Sequence, residues 1–186
     1  MSANDKVYIK FFAKVDGDSA NVLMSVIDQQ IAKGTKKIVL LISTPGGSVF
    51  HGISIYNYLK GIPITIETHN FGSIDSIGNI IYVAGEKRFC VPDARFLLHP
   101  VALMLGQNQV VEEKKLEEML KGLIIDQGNI AQIIGKELSK STDDLLKAML
   151  DRTTLTPDEA IKFGLVNEIK SELFPLGSTV ITINKS

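Results

Sequence analysis

At 186 residues, 45% of them hydrophobic and 22% charged, the chain has the composition of one globular domain with a substantial core. Its 20 Lys and Arg against 21 Asp and Glu leave a net charge of −1 spread along the sequence, which excludes a basic face for nucleic acid. The start, MSANDKVYIKFF, lacks a signal-peptide layout, no apolar run is long enough to span a membrane, and the single cysteine, Cys90, has neither a disulfide partner nor a Cys or His at metal-ligand spacing. The expectation is a cytoplasmic protein with no membrane partner, no metal and no organic cofactor.

In chain order, Val7 to Phe12 reads as a strand, and DGDSA from Asp16 to Ala20 supplies turn and cap residues for a helix from about Ala20 to Ala32. Val22, Leu23, Val26, Ile27 and Ile31 would share its apolar face. Gly34 ends it, and Lys37 to Ser43, KIVLLIS, is a continuous β-branched run of the kind covered on both faces, giving a βαβ unit. The turn STPGG, Ser43 to Gly47, leads into a helix over Val49 to Lys60, then a strand over Ile62 to Thr68. Ile77 to Val83 reads as a buried helix, Arg88 to Val91 and Phe96 to Leu98 as strands, the last ending at His99. Alternation of this kind predicts an α/β domain with a mostly parallel sheet.

From Val110 to about Lys136, Leu116, Leu120, Leu123, Ile124, Ile130 and Ile134 recur near helical spacing opposite a charged face, which predicts a long amphipathic helix, relaxed at Gly122 or Gly128. It either lies on its own core or packs against another subunit. A shorter helix follows over Ser141 to Leu150, then a proline-opened helix from Thr156 to Phe163 closed by Gly164, and terminal strands over Val166 to Ile169 and Thr179 to Ile183.

The stretch GSIDSIGNIIYVAG, Gly72 to Gly85, sets Ser76 between a glycine-bearing turn and an apolar helix. A serine hydroxyl becomes a nucleophile when a base takes its proton and backbone N–H groups receive the oxyanion. His99, at a strand end, could be the base, and the STPGG turn could bring a backbone N–H to the same place. Alone, such a serine is usually a helix cap, such a histidine a packing residue, and Pro-Gly-Gly a turn. His51 and His69 carry no motif and read as ordinary histidines, and Cys90 reads as a small core residue.

Four segments together carry a resemblance. STPGGSVFHGISIYNYL, GSIDSIGNIIYVAG, PDARFLLHP and LTPDEAIKFGLV are similar, in this order and spacing, to the segments of the Clp-type serine peptidases. The resemblance implies a crotonase-like fold of repeated ββα units, two stacked seven-membered rings interlocked through the long helix, and hydrolysis of peptides or unfolded protein in an enclosed chamber. Carried onto this sequence, it makes Ser76 the nucleophile, His99 the general base, and the N–H groups of Gly47 and Ile77 the oxyanion donors.

The sequence departs from the pattern at three places. The family's third triad residue falls on Arg152, whose guanidinium cannot accept the histidine N–H. Asp151, one position earlier, is the candidate replacement, with Asp143 and Asp144 behind it. Asp75 directly precedes the nucleophile, where its carboxylate would raise the histidine pKa or repel the oxyanion unless it faces outward. The third departure is the short stretch before the first strand, which weakens the expectation of an ATP-driven unfoldase partner. Two other readings stay open: a catalytically impaired ring subunit, and a crotonase-type acyl-CoA enzyme using the Gly47 turn as its oxyanion hole.

Overall fold

The computed structural model describes residues 5–103 and 110–183. The chain divides into two compact units, Met1–Leu97 with Thr154–Ser186, and Leu98–Thr153.

The first unit holds the sheet, built from β1 (Lys6–Phe12), β2 (Lys37–Thr44), β3 (Thr65–Asp75), β4 (Lys87–Cys90), β5 (Arg95–Leu97), β6 (Thr154–Leu155), β7 (Glu168–Ile169) and β8 (Val180–Ile183). The order is β6-β5-β3-β2-β1-β8, with β4 pairing both β3 and β7. Every pairing is parallel except that of β5 with β6. Strand β2 is buried at every position except Lys37: β1 and β3 take its two edges, and on one face Val39 and Leu41 pack with Tyr8 against Phe71, Leu173 and Val180. Burying each of its Val, Leu and Ile side chains contributes about 1.5–3 kcal/mol.

Helices α1 (Gly17–Ala32), α2 (Val49–Gly61), α3 (Gly78–Val83) and α6 (Pro157–Phe163) belong to the same unit. Asp16 caps α1 through a reciprocal box with Ser19, and Thr156 caps α6 in the same way with Glu159. The buried face of α1 is Ser19, Ala20, Leu23, Ile27 and Gln30, so Val22, expected inside, is exposed and a glutamine takes an inner position.

Strand β3 corrects the expected boundary. It starts at Thr65 because α2 runs on to Gly61 and Pro63 has no N–H to give a ladder. It then continues to Asp75, pairing with β4 over Glu67–Asn70 and with β5 over Ser73–Asp75. Gly72 therefore lies inside a strand rather than in a turn. A Cβ there would stand 2.9 Å from Ser43 Oγ, and Ser43 Oγ accepts from Ser73 N at 3.2 Å. The register against β2 shifts at this point, between Ile42 and Thr44, and the bulge re-aims the end of β3.

The second unit contains α4 (Glu113–Leu138) and α5 (Thr142–Leu150), which pack on each other. Helix α4 is continuous through Gly122 and Gly128, because a single interior glycine costs only about 1 kcal/mol relative to alanine. Its C-terminal half buries Ile130, Ala131, Ile134 and Gly135, whereas Leu116, Leu120, Ile124 and Ile125 are at least half exposed. No helix among the described residues is long and apolar enough to cross a membrane.

Candidate active site

The end of β3, the start of α3 and the turn after β2 converge in the first unit. Ser76 has φ 58°, the left-handed region, where a residue with a Cβ costs about 1–3 kcal/mol. The turn is held from both sides of the serine. Ser76 N donates to Leu97 O at 2.9 Å, and Ser76 O accepts from Asn79 N at 3.1 Å and from Asn79 Nδ2 at 3.0 Å.

The turn after β2 lies against this one. Gly46 and Gly47 have φ of 82° and 152°, both in the left-handed half of the map that favours glycine. A Cβ on Gly46 would stand 2.7 Å from Asp75 O and 2.8 Å from Ser76 Cβ, and one on Gly47 would run into Val15 O. Val15 N donates to Gly46 O (2.9 Å) and Ser48 N to Val15 O (2.8 Å), so Gly47 is gripped while its own N–H is left over. Among the described residues neither Gly47 N–H nor Ile77 N–H makes a hydrogen bond. The site of the Gly46 Cβ lies 3.4 Å from Ile77 N, so the two turns bring these donors into one neighbourhood.

Asp75 does not stand as an uncompensated charge beside the serine. Its Oδ2 pairs with Arg95 Nη2 at 2.7 Å across the β3–β5 pair, and Arg95 Nε donates to Ser73 Oγ at 2.9 Å. The paired guanidinium offsets the carboxylate's charge and so weakens the expected repulsion of an oxyanion. A cleft of about 310 Å³ is lined by Phe12, Lys14, Ser43, Pro45, Ser73 and Asp75, the residue before Ser76.

His99 and Asp151 belong to the second unit. His99 is half-buried and its Nδ1 lies 2.7 Å from Pro100 O. A carbonyl only accepts, so Nδ1 carries the proton in this contact, and the neutral ring offers its lone pair at Nε2. Asp151 caps the C-terminus of α5, is exposed, and its carboxylate makes no hydrogen bond or ion pair among the described residues. Arg152, also exposed, takes the left-handed conformation (φ 52°) that closes the helix, with Arg152 N donating to Met149 O at 3.0 Å. Asp144 is engaged in the α5 cap, accepting from Ser141 Oγ at 2.7 Å, and Asp143 lies in the same first turn.

Two features escaped the sequence reading. Asn79 is fully buried, and its carboxamide reaches both Ser76 O and Leu97 O, the latter at 2.9 Å. Its signal was a lone amide in the apolar run IGNIIYV. The Asp75–Arg95 pair had no local signal, since 20 positions separate its members and only the β3–β5 register joins them.

A sequence model of the Clp protease family matches residues 3–172, and the chain belongs to that family, a class of serine-type peptidases. Relatives named ATP-dependent Clp protease proteolytic subunit occur in Bdellovibrio bacteriovorus (26% identical over 169 residues, 89% of this chain and 78% of that one) and Lactococcus lactis (26% over 156 residues, 83% and 77%). A third, from Deinococcus radiodurans, is 26% identical over 160 residues, covering 83% of this chain and 76% of its own length. The fold is that of a point mutant of ClpP1 from Listeria monocytogenes, with a TM-score of 0.80 over 91% of this chain and 93% of that one at 24% identity. The family expected from four ordered motifs is the family found, and neither the acyl-CoA reading nor the impaired-subunit reading is favoured.

Proposed function

We propose that the chain cleaves peptides and unfolded protein with Ser76 as nucleophile, His99 as general base, and the N–H groups of Gly47 and Ile77 as oxyanion donors. The observation that carries this is the strained Ser76 turn packed against the glycine turn, with both donors unspent. His99 Nε2 takes the Ser76 proton as Oγ attacks the peptide carbonyl, and the carbonyl oxygen becomes an oxyanion received by the two N–H groups. The imidazolium then gives its proton to the departing amine, leaving an acyl-serine that water hydrolyses through the same base. The two compact units act as one peptidase domain, and the site is cytoplasmic, within a homo-oligomer of two stacked heptameric rings. ATP dependence, which the relatives' names carry, is no part of this proposal, because hydrolysis of short peptides needs no nucleotide.

Hydrolysis of a fluorogenic peptide tests it. Ser76→Ala and His99→Ala are expected to lower turnover at least about 10³-fold while leaving the circular dichroism unchanged. Wild-type turnover in folded Ser76→Ala contradicts the proposal. The same assay decides the third role. A loss of about 10²-fold or more in Asp151→Asn assigns Asp151 as the acid that replaces Pro100 O on Nδ1, and an unchanged rate assigns the orienting role to that carbonyl.

A further inference from the structure

The hydrogen bonds of Asn79 form a closed set around the nucleophile. Its two Nδ2 protons go to different carbonyls, Ser76 O at 3.0 Å and Leu97 O at 2.9 Å, while its backbone N–H goes to Ser76 O at 3.1 Å. Leu97 O also accepts from Ser76 N at 2.9 Å. One buried carboxamide thus adds a second hold, beside the Asn79 N–H, on the acceptor side of the Ser76–Ile77 peptide and, through Leu97 O, steadies the donor side of the Asp75–Ser76 peptide.

This has a geometric effect on the oxyanion donor. In a planar trans peptide the C=O and the following N–H point in opposite directions. Holding Ser76 O against Asn79 therefore aims Ile77 N–H the other way, away from α3 and into the neighbourhood of the Gly46–Gly47 turn. With the two carboxamide bonds removed the turn keeps only its backbone bonds, so Ser76 is held less firmly at its unfavourable φ of 58°, and any drift turns both its side chain and the Ile77 N–H. The carboxamide is used only for its donors, since Asn79 Oδ1 is buried with no hydrogen-bond partner among the described residues. An apolar side chain of similar size would fill the space and leave no orphan acceptor, so packing alone does not account for an amide here.

We infer that Asn79 is a positioning residue for the reaction, setting the left-handed turn of Ser76 and the aim of the Ile77 N–H toward the developing oxyanion. The inference rests on the function proposed above. A residue acting this way changes transition-state binding and leaves ground-state peptide binding alone.

The test compares wild type with Asn79→Ala, Asn79→Leu and Asn79→Ser, using peptide hydrolysis and inhibition by a peptide boronic acid whose tetrahedral adduct fills the oxyanion site. Asn79→Ala and Asn79→Leu are expected to lower kcat by about 10- to 100-fold, less than the ~10²–10³-fold that follows outright loss of an oxyanion donor. KM should stay within about twofold, and the boronate Ki should rise by the same factor as kcat/KM falls. Asn79→Ser keeps one donor and should recover part of the loss relative to Asn79→Leu at comparable thermal stability. A folded Asn79→Ala with wild-type kcat and Ki overturns the inference and leaves the Ser76 assignment standing, as does a loss confined to KM. Should Asn79→Ala not fold, equal kcat in Asn79→Leu and Asn79→Ser overturns it. Wild-type protein that neither hydrolyses peptide nor binds the boronate, like Ser76→Ala, overturns the function and the inference together.

Discussion

At the scale of single residues, the site is a set of donors whose spending can be followed bond by bond. The Ser76 turn uses its own N–H and C=O on Leu97 and Asn79, and what remains is the N–H of Ile77 beside that of Gly47. Another residue, His69, is buried but titratable. Its Nε2 donates to Lys170 O at 2.9 Å, its ring is tilted against Phe89, and it faces a cavity of about 130 Å³ shared with Lys6, Glu67, Lys87 and Lys170. Burial holds its pKa below the usual histidine value; the Lys170 carbonyl opposes this and the Lys170 charge adds to it. The folded protein therefore refuses a proton that the unfolded chain accepts near pH 6.5, so stability falls as pH drops through that value toward the lowered folded pKa. Thermal melts from pH 7.5 to 5 should show a steeper decline for wild type than for His69→Phe. Parallel slopes would remove His69 from the acid sensitivity of the fold.

At the scale of elements, α4 presents a surface that this protomer does not cover. Leu116, Leu120, Ile124 and Ile125 are 54%, 55%, 60% and 50% exposed on one long helix, an apolar stripe of the kind that marks an interface. Light scattering should return a mass that is a multiple of 20.4 kDa, and Leu120→Glu with Ile124→Glu should drive it toward the single-chain value with helicity retained. A wild-type mass of 20.4 kDa at micromolar concentration would contradict the ring. Helix α4 and strand β2 were legible in the sequence because each carries its period without interruption, and α6 because Thr156, Pro157 and Gly164 punctuate it. Strand β6 was not, since Thr154 and Leu155 become a strand only by pairing with Phe96 and Leu97 far upstream. Nor was the length of β3, because a glycine required by close approach to Ser43 reads the same as one required by a turn. Within the candidate site, Ser76 and the glycines stood out in the sequence as motifs. The left-handed φ of Ser76, the reach of the Asn79 carboxamide and the conformation of the Asp151–Arg152 loop depend on backbone dihedrals that residue types alone do not specify.

At the scale of the whole molecule, the proposal joins groups from both compact units: Ser76, Gly47 and Ile77 from the one that holds the sheet, His99 and Asp151 from the other. An activated serine at Ser76 is the claim on which peptide hydrolysis, the oxyanion donors and the role of Asn79 all depend. Labelling with a fluorophosphonate, read by intact mass and peptide mapping, tests it most directly. One adduct per chain is expected at Ser76 in the wild type, none in Ser76→Ala, and labelling slowed at least about 10²-fold in His99→Ala. Equal labelling of wild type and Ser76→Ala, or no adduct in folded wild-type protein, would contradict it.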